Sequence, residues 1–177
     1  MNYDYRPRRQ NYKAPTIVFL LFLLSGGLFG CSGFLPPHSA LWQSLGVLLL
    51  LPAVQLAVRY MISRYLYRLH TYEDGHTDLE IFLYRGGDKM QLVCCVALSE
   101  ITAAAPLSAK NADAPAKIKR YNYTQDLFAR EALVLSVTNR DGACEVLFSP
   151  DAYITQAITQ ALTAPRSAQT EQAFEKE

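Results

Sequence analysis

No Asp, Glu, Lys or Arg occurs from Ala14 to Val58, a run of 45 residues. Acidic residues are scarce throughout the N-terminal third: up to Arg64 there is one Asp against six Lys or Arg, a local charge of +5. From Tyr65 onward eleven basic and fifteen acidic residues give −4, so the overall +1 hides two unlike halves. A mildly acidic remainder lacks the cations that neutralise phosphates along a polynucleotide, which excludes nucleic acid as a partner. The four cysteines, at 31, 94, 95 and 144, show no Cys-x-x-Cys spacing. That excludes a zinc framework or a disulfide scaffold and leaves free thiols in a reducing compartment. The chain also has no Gly-x-Ser-x-Gly elbow, P-loop, dinucleotide fingerprint, His-Glu-x-x-His or internal repeat, and no cofactor is expected.

What is present begins with the charge-free run. As one helix at about 1.5 Å per residue it would be about twice as long as a ~30 Å hydrocarbon core is thick. It therefore divides into two spans, 14–34 and 41–61, with Pro36-Pro37 turning the chain between them. Basic residues flank the outer ends: Arg6, Arg8, Arg9 and Lys13 before the first span, Arg59, Arg64 and Arg68 at or after the end of the second. By the positive-inside rule both termini face the cytoplasm, which gives a multi-pass protein of the inner, cytoplasmic membrane. Tyr3, Tyr5, Tyr12, Tyr60, Tyr65 and Tyr67 suit an interfacial belt on that side and Trp42 suits the opposite one. Gly26, Gly27 and Gly30 either admit a second helix closely or loosen the end of the first. Pro52 is expected to kink the second span.

Leu28-Phe29-Gly30-Cys31 resembles the lipobox of bacterial lipoproteins, with Phe29 departing from the smaller residue usual there. A second full-length span ten residues later fits a hairpin better than a cleaved leader.

After Arg64 short apolar runs alternate with turn residues, the pattern of strands. Asp74-Gly75 and Gly86-Gly87 separate "YLYRLHTY", "DLEIFLYR" and "KMQLVCCVALSE". In the last of these Met90, Leu92, Cys94, Val96 and Leu98 are expected on a core face. An Ala- and Pro-rich stretch follows, then "KIKRYNYTQDL", "EALVLSVTNR" and "CEVLFS". Ser149-Pro150-Asp151 predicts a helix start capped by the hydroxyl, and the helix carries Ile154, Ala157, Ile158, Ala161 and Leu162 on one stripe.

The fold expected is a membrane-anchored α+β protein. A two-helix transmembrane hairpin precedes about six antiparallel strands, a small sheet or barrel closed by a C-terminal helix. The division is a basic N-terminus over 1–13, the hairpin over 14–62, the β domain with its helix over 63–164 and a polar tail over 165–177.

Two N-terminal spans, "RYLYRLHTYEDGHTDLEI", "VALSEITAA" and a last helix after a strand resemble the bacterial pleckstrin-homology-like (PH-like) membrane proteins. The resemblance covers Ala14 to about Leu162 and departs in the 107–116 loop and in strand number. A complete barrel of that type has seven strands, and the seventh could lie near Ile101. The resemblance implies a cytoplasmic scaffold for binding lipid or protein.

The cationic stretch "KIKRYNYTQD" places Lys117, Lys119, Tyr121 and Tyr123 on one side of a strand and Arg120 on the other, with Lys110 in the preceding loop. Near an anionic leaflet such cations contribute about 1 kcal/mol each. These six are the candidate lipid- or partner-binding residues; the competing reading is a solvated edge strand whose lysines deter aggregation. His70 and His76, with Glu73 or Asp78, could approach a metal, but a solvated hairpin accounts for them and no metal site is expected. The function expected is therefore a non-enzymatic lipid-headgroup or protein-binding scaffold. Its partners would be membrane lipids, with another membrane protein or a second copy reached through the hairpin. The alternative is a membrane-bound enzyme whose site assembles only in three dimensions.

Overall fold

The computed structural model describes residues 2–9, 12–34, 38–86, 89–109, 118–129, 131–139 and 142–163. Two long apolar helices, α1 (Lys13–Phe34) and α2 (Ser39–Ala57), pack against each other, and α2 continues into a π-helical turn over Val58–Ile62. The helical segments 13–34 and 39–62 have mean hydropathies of 2.1 and 1.9, long and apolar enough to cross a membrane. α1 can start where it does because Pro15 sits in the first turn, where a missing N–H leaves no bond unmade. Of the two readings of Gly26, Gly27 and Gly30, close approach of α2 is not the one seen, since no atom outside the helix's own nearby backbone lies within 4 Å of a Cβ built on any of them. The contact is at Gly46 of α2, where the Phe29 ring lies 2.9 Å from such a Cβ and Ser25 Oγ donates to the Gly46 carbonyl at 2.9 Å.

The polar two thirds form two four-stranded sheets, not a closed barrel. The first runs β1 (Asn2–Tyr5), β2 (Ser63–Thr71), β3 (Thr77–Arg85), β4 (Met90–Ala97), antiparallel throughout. The second has the order β5 (Ile101–Pro106), β7 (Leu133–Asn139), β8 (Gly142–Phe148), β6 (Lys119–Asn122). β6 is parallel to β8, which corrects the all-antiparallel expectation. Its chain runs on through 123–129 before reaching β7 instead of turning back on a hairpin, so it joins the far edge of β8.

β1 was not foreseen. It pairs Asn2 with His70 through to Tyr5 with Tyr67, so a segment expected to be only a basic flank completes the first sheet. Arg68 grips Asp4 through Nε and Nη2 at 2.6 and 2.8 Å and holds that carboxyl below its usual range. Tyr3 donates to the Asp151 carboxylate and its ring lies 4.3 Å from that of Tyr153. The tyrosine belt is corrected accordingly: Tyr65 and Tyr67 are core residues, Tyr60 is buried, Tyr3 and Tyr5 are half-buried on the sheet, and Tyr12 alone of the six is exposed, at 77%.

The β2–β3 hairpin turns at Gly75, whose φ of +83° favours glycine. Its tight register brings Tyr65, Tyr67, Leu69, Leu79, Ile81 and Leu83 onto one core face. β4 departs from the expected alternation. Ile81 opposes Cys94 and Phe82 opposes Leu92, so Val93 is the extra residue of a bulge. One inserted residue moves the outer end to the other face: Val93 joins the core while Met90 and Leu92 are exposed.

The helix α3 (Ala152–Thr163) lays Ile154 and Ile158, both fully buried, against the sheets with Ala157 and Leu162 beside them. Its cap is Asp151 instead of Ser149: Asp151 Oδ1 accepts the Ile154 N–H at 2.9 Å, which leaves Pro150 just outside the helix. The tail over 165–177 lies outside the described residues.

Candidate functional site

Where the helices meet the first sheet, the 6–9 linker and the end of α2 come together. Leaving β1 antiparallel to β2, the 6–9 linker runs back alongside the start of β2 on its way to α1. The same place receives the π-helical turn at the end of α2, held by the Ser63 N–H and hydroxyl, both of which donate to the Val58 carbonyl. It also receives the end of β3, because counting back from the Thr71–Thr77 turn pairs Arg64 with Tyr84. Gln125 closes one wall through a 2.9 Å bond from its amide to the Ser63 carbonyl.

The result is a cleft of about 1080 Å3 lined by four arginines, Arg6, Arg8, Arg9 and Arg64. Tyr12, Tyr65 and Tyr84 contribute phenols, and Met61 and Ile62 form the edge nearest the apolar helices. No carboxylate among the described residues lines it. Arg6 lies over the Tyr84 ring at 5.6 Å, and Arg9 donates through Nη2 to the Tyr60 carbonyl. Two buried polar atoms here have no hydrogen-bond partner in the structure, Arg9 Nε and the Tyr84 hydroxyl. Buried polar groups are satisfied in the great majority of cases, so two orphans in one cleft mark a place where a polar ligand or water belongs.

The other flanking cations are engaged elsewhere. Arg59 lies over the Tyr65 ring at 5.1 Å and donates to the Asn122 carbonyl. Arg68 is committed to Asp4 and lies over Phe82, and Lys13 lies 5.6 Å above the Phe128 ring.

The second candidate group is divided by the fold. Lys110 and Lys117 lie outside the described residues. Lys119 and Tyr121 are exposed on β6. Arg120 pairs with the buried Glu145 at 2.7 Å. Tyr123 turns into the core, where its hydroxyl donates to the Val93 carbonyl at 3.2 Å and its ring meets Tyr65 edge-on.

Burial pushes the Cys94 thiol up to about 11, and also raises Cys95 and Cys144, so these thiols stay protonated near neutral pH and are poor nucleophiles. His76 Nε2 lies 2.7 Å from Asp78, and no group of three metal-binding side chains occurs among the described residues.

Burial likewise raises Tyr123 to about 12. In the unfolded chain the Cys94 thiol ionises near 9 and a tyrosine near 10, so the fold retains protons that the unfolded chain has lost. Stability is then full below pH 9 and falls as pH rises through about 11 and 12. Unfolding midpoints measured from neutral pH upward should trace that decline, and Cys94→Ala should make it shallower between pH 9 and about 11, with Cys95 and Cys144 keeping its onset. An unchanged slope in the variant would remove Cys94 from the account.

The sequence offered every cleft arginine but not their meeting. Their meeting depends on the pairing of β1 with β2, and the β2–β3 register adds Tyr84 beside Arg64. Comparison with family models, curated proteins and solved structures returned no match for this chain.

Proposed function

We propose that this chain is an integral membrane protein whose two helices cross the bilayer as a hairpin and whose two-sheet domain is a non-enzymatic binding or scaffold module at the cytoplasmic face. The observation that carries this reading is the arginine-lined cleft between hairpin and sheets. Four cations in a cleft that no carboxylate among the described residues lines are suited to binding an anion, and the cleft opens beside the apolar helices, at the level of lipid headgroups.

Other features support the membrane placement. Large apolar side chains cover the outside of the helices, among them Phe19 at 62% exposure, Leu48 at 63% and Leu51 at 64%. An apolar face of that extent needs lipid or another apolar partner. Because β1 pairs with β2, the two ends of the hairpin emerge on one side, and both ends are basic. The glycines of α1, open on the lipid side, leave room for a helix of another membrane protein or of a second copy. The likeness to PH-like membrane proteins draws support from two packed sheets closed by one C-terminal helix, and none from barrel closure. The alternative, an enzyme, finds no support in the protonated thiols.

Asp4→Cys with Arg68→Cys tests the topology, since these residues are cross-strand partners. Mild oxidation of membranes carrying the full chain should join the two peptides across the hairpin, as read by mass spectrometry, and neither single variant should give that product. A C-terminal tag should resist protease added to intact cells and be cut in everted vesicles. Cleavage in intact cells would overturn the cytoplasmic placement.

A further inference from the structure

We infer that the arginine cleft is a site for a phosphate-bearing anion, supplied by an anionic phospholipid of the adjacent leaflet. This rests on reading the hairpin as membrane-spanning and names the ligand class of that same cleft. Guanidinium groups suit phosphate because their planar fork donates two parallel hydrogen bonds to its oxygens. Four such groups converge here from two chain segments that the hairpin separates in sequence.

The unmade bonds match this ligand. Arg9 Nε is buried and unpartnered although the same guanidinium already uses Nη2 on the Tyr60 carbonyl. The Tyr84 hydroxyl is likewise buried and unpartnered, and Tyr84 is the cross-strand neighbour of Arg64. Both orphans can donate, and an oxyanion accepts from several donors at once. A cation would face four arginines and is excluded by repulsion.

The walls indicate the source. Met61 and Ile62 line the cleft at the point where the second apolar helix ends. A lipid whose phosphate reached the arginines could keep its acyl chains against the helices, so its headgroup and tails would each meet matching chemistry. The exposed Lys119 and Tyr121 of β6 do not line the cleft.

The test uses the full chain in mild detergent, offered equal amounts of phosphatidylglycerol and phosphatidylcholine with identical acyl chains, with bound lipid read by native mass spectrometry. Phosphatidylglycerol should be retained in preference by about tenfold, one lipid per chain, and high salt should weaken the preference. Arg64→Gln should bring the ratio close to one. Arg64 is exposed, so this change leaves the core intact; Arg9→Gln adds a second reading at the buried donor, with the unfolding midpoint of each variant measured alongside.

A parallel arm offers millimolar inorganic phosphate. If no lipid preference exists but phosphate raises the unfolding midpoint of the parent and not of Arg64→Gln, the phosphate site stands and its source is soluble. If neither probe binds, or if Lys119→Gln removes the preference while Arg64→Gln keeps it, the inference is overturned. Extraction of the protein from membranes by alkaline carbonate, or failure of the Asp4–Arg68 crosslink, would instead sink the membrane reading beneath it. Firm membrane association with no anion binding removes the cleft assignment alone.

Discussion

Tyr67→Ala should lower the unfolding free energy of the two-sheet domain by about 3–5 kcal/mol, and Tyr67→Phe by about 1–3 kcal/mol. The two numbers separate two roles of one side chain. The ring is fully buried, meets Phe148 edge-on at 5.2 Å and lies within 6.2 Å of Tyr5 on the neighbouring strand. Its removal opens a cavity at the centre of the core, where neighbouring strands relax only in part. The hydroxyl acts across the fold. It donates to the Tyr123 carbonyl at 2.8 Å and accepts from the Ser149 N–H at 3.4 Å, so a residue of the first sheet satisfies backbone groups beside β6 and before α3. Phenylalanine keeps the packing and leaves that carbonyl without its donor. Urea unfolding of the full chain in micelles, followed by near-ultraviolet circular dichroism, reads the loss while the apolar helices stay in detergent. A Tyr67→Phe variant as stable as the parent would show that the hydroxyl bridge between sheets contributes nothing.

The sequence revealed those parts of the architecture whose signal is local. A charge-free run long enough for two helices announces them residue by residue, and the helices end at Phe34 and start at Ser39 on either side of Pro36-Pro37, which lies outside the described residues. Asp74-Gly75 set the β2–β3 turn, and the spacing of Ile154 and Ile158 set the buried stripe of α3. Non-local pairings were hidden. β1 is four residues long and carries no usable period, and its partner β2 begins beyond both helices. Its tyrosines therefore read as membrane-interface residues when they belong to a sheet. The bulge at Val93 reverses the faces of half a strand without any turn residue to mark it. The parallel placement of β6 depends on the path after it, which composition does not encode.

The cleft was legible in the same partial way. Arg6, Arg8, Arg9 and Arg64 stood out as flanking charges, which composition alone treats as a diffuse belt. Pairing of β1 with β2 turns that belt into a pocket, and the Arg64–Tyr84 register supplies a donor from a third strand. The stretch 117–123 had the opposite fate. Its charge density drew attention, yet one cation of β6 is consumed by a buried acid, and Tyr123, just past the strand, by the core.

Arg120→Ala should cost about 2 kcal/mol of stability, and adding Glu145→Gln should recover most of it. The Glu145 side chain is 4% exposed while that of Arg120 is 41% exposed, so the acid is the member that depends on the pair. Breaking a wholly buried pair costs about 3–5 kcal/mol, and solvent at the guanidinium reduces that figure here. With the guanidinium removed, the Glu145 carboxylate loses that charge partner in the β8 interior opposite Ser136, whereas glutamine there carries no charge to desolvate. The double-mutant cycle therefore has a predicted sign: the second substitution stabilises the first variant although it destabilises the parent. A headgroup-binding role for Arg120 predicts something different, namely weaker association with anionic vesicles at unchanged stability and no rescue by Glu145→Gln. Unfolding and vesicle sedimentation on the same four proteins decide between them. Rescue of stability would assign Arg120 to the sheet, and a vesicle defect that Glu145→Gln leaves untouched would return it to the membrane surface.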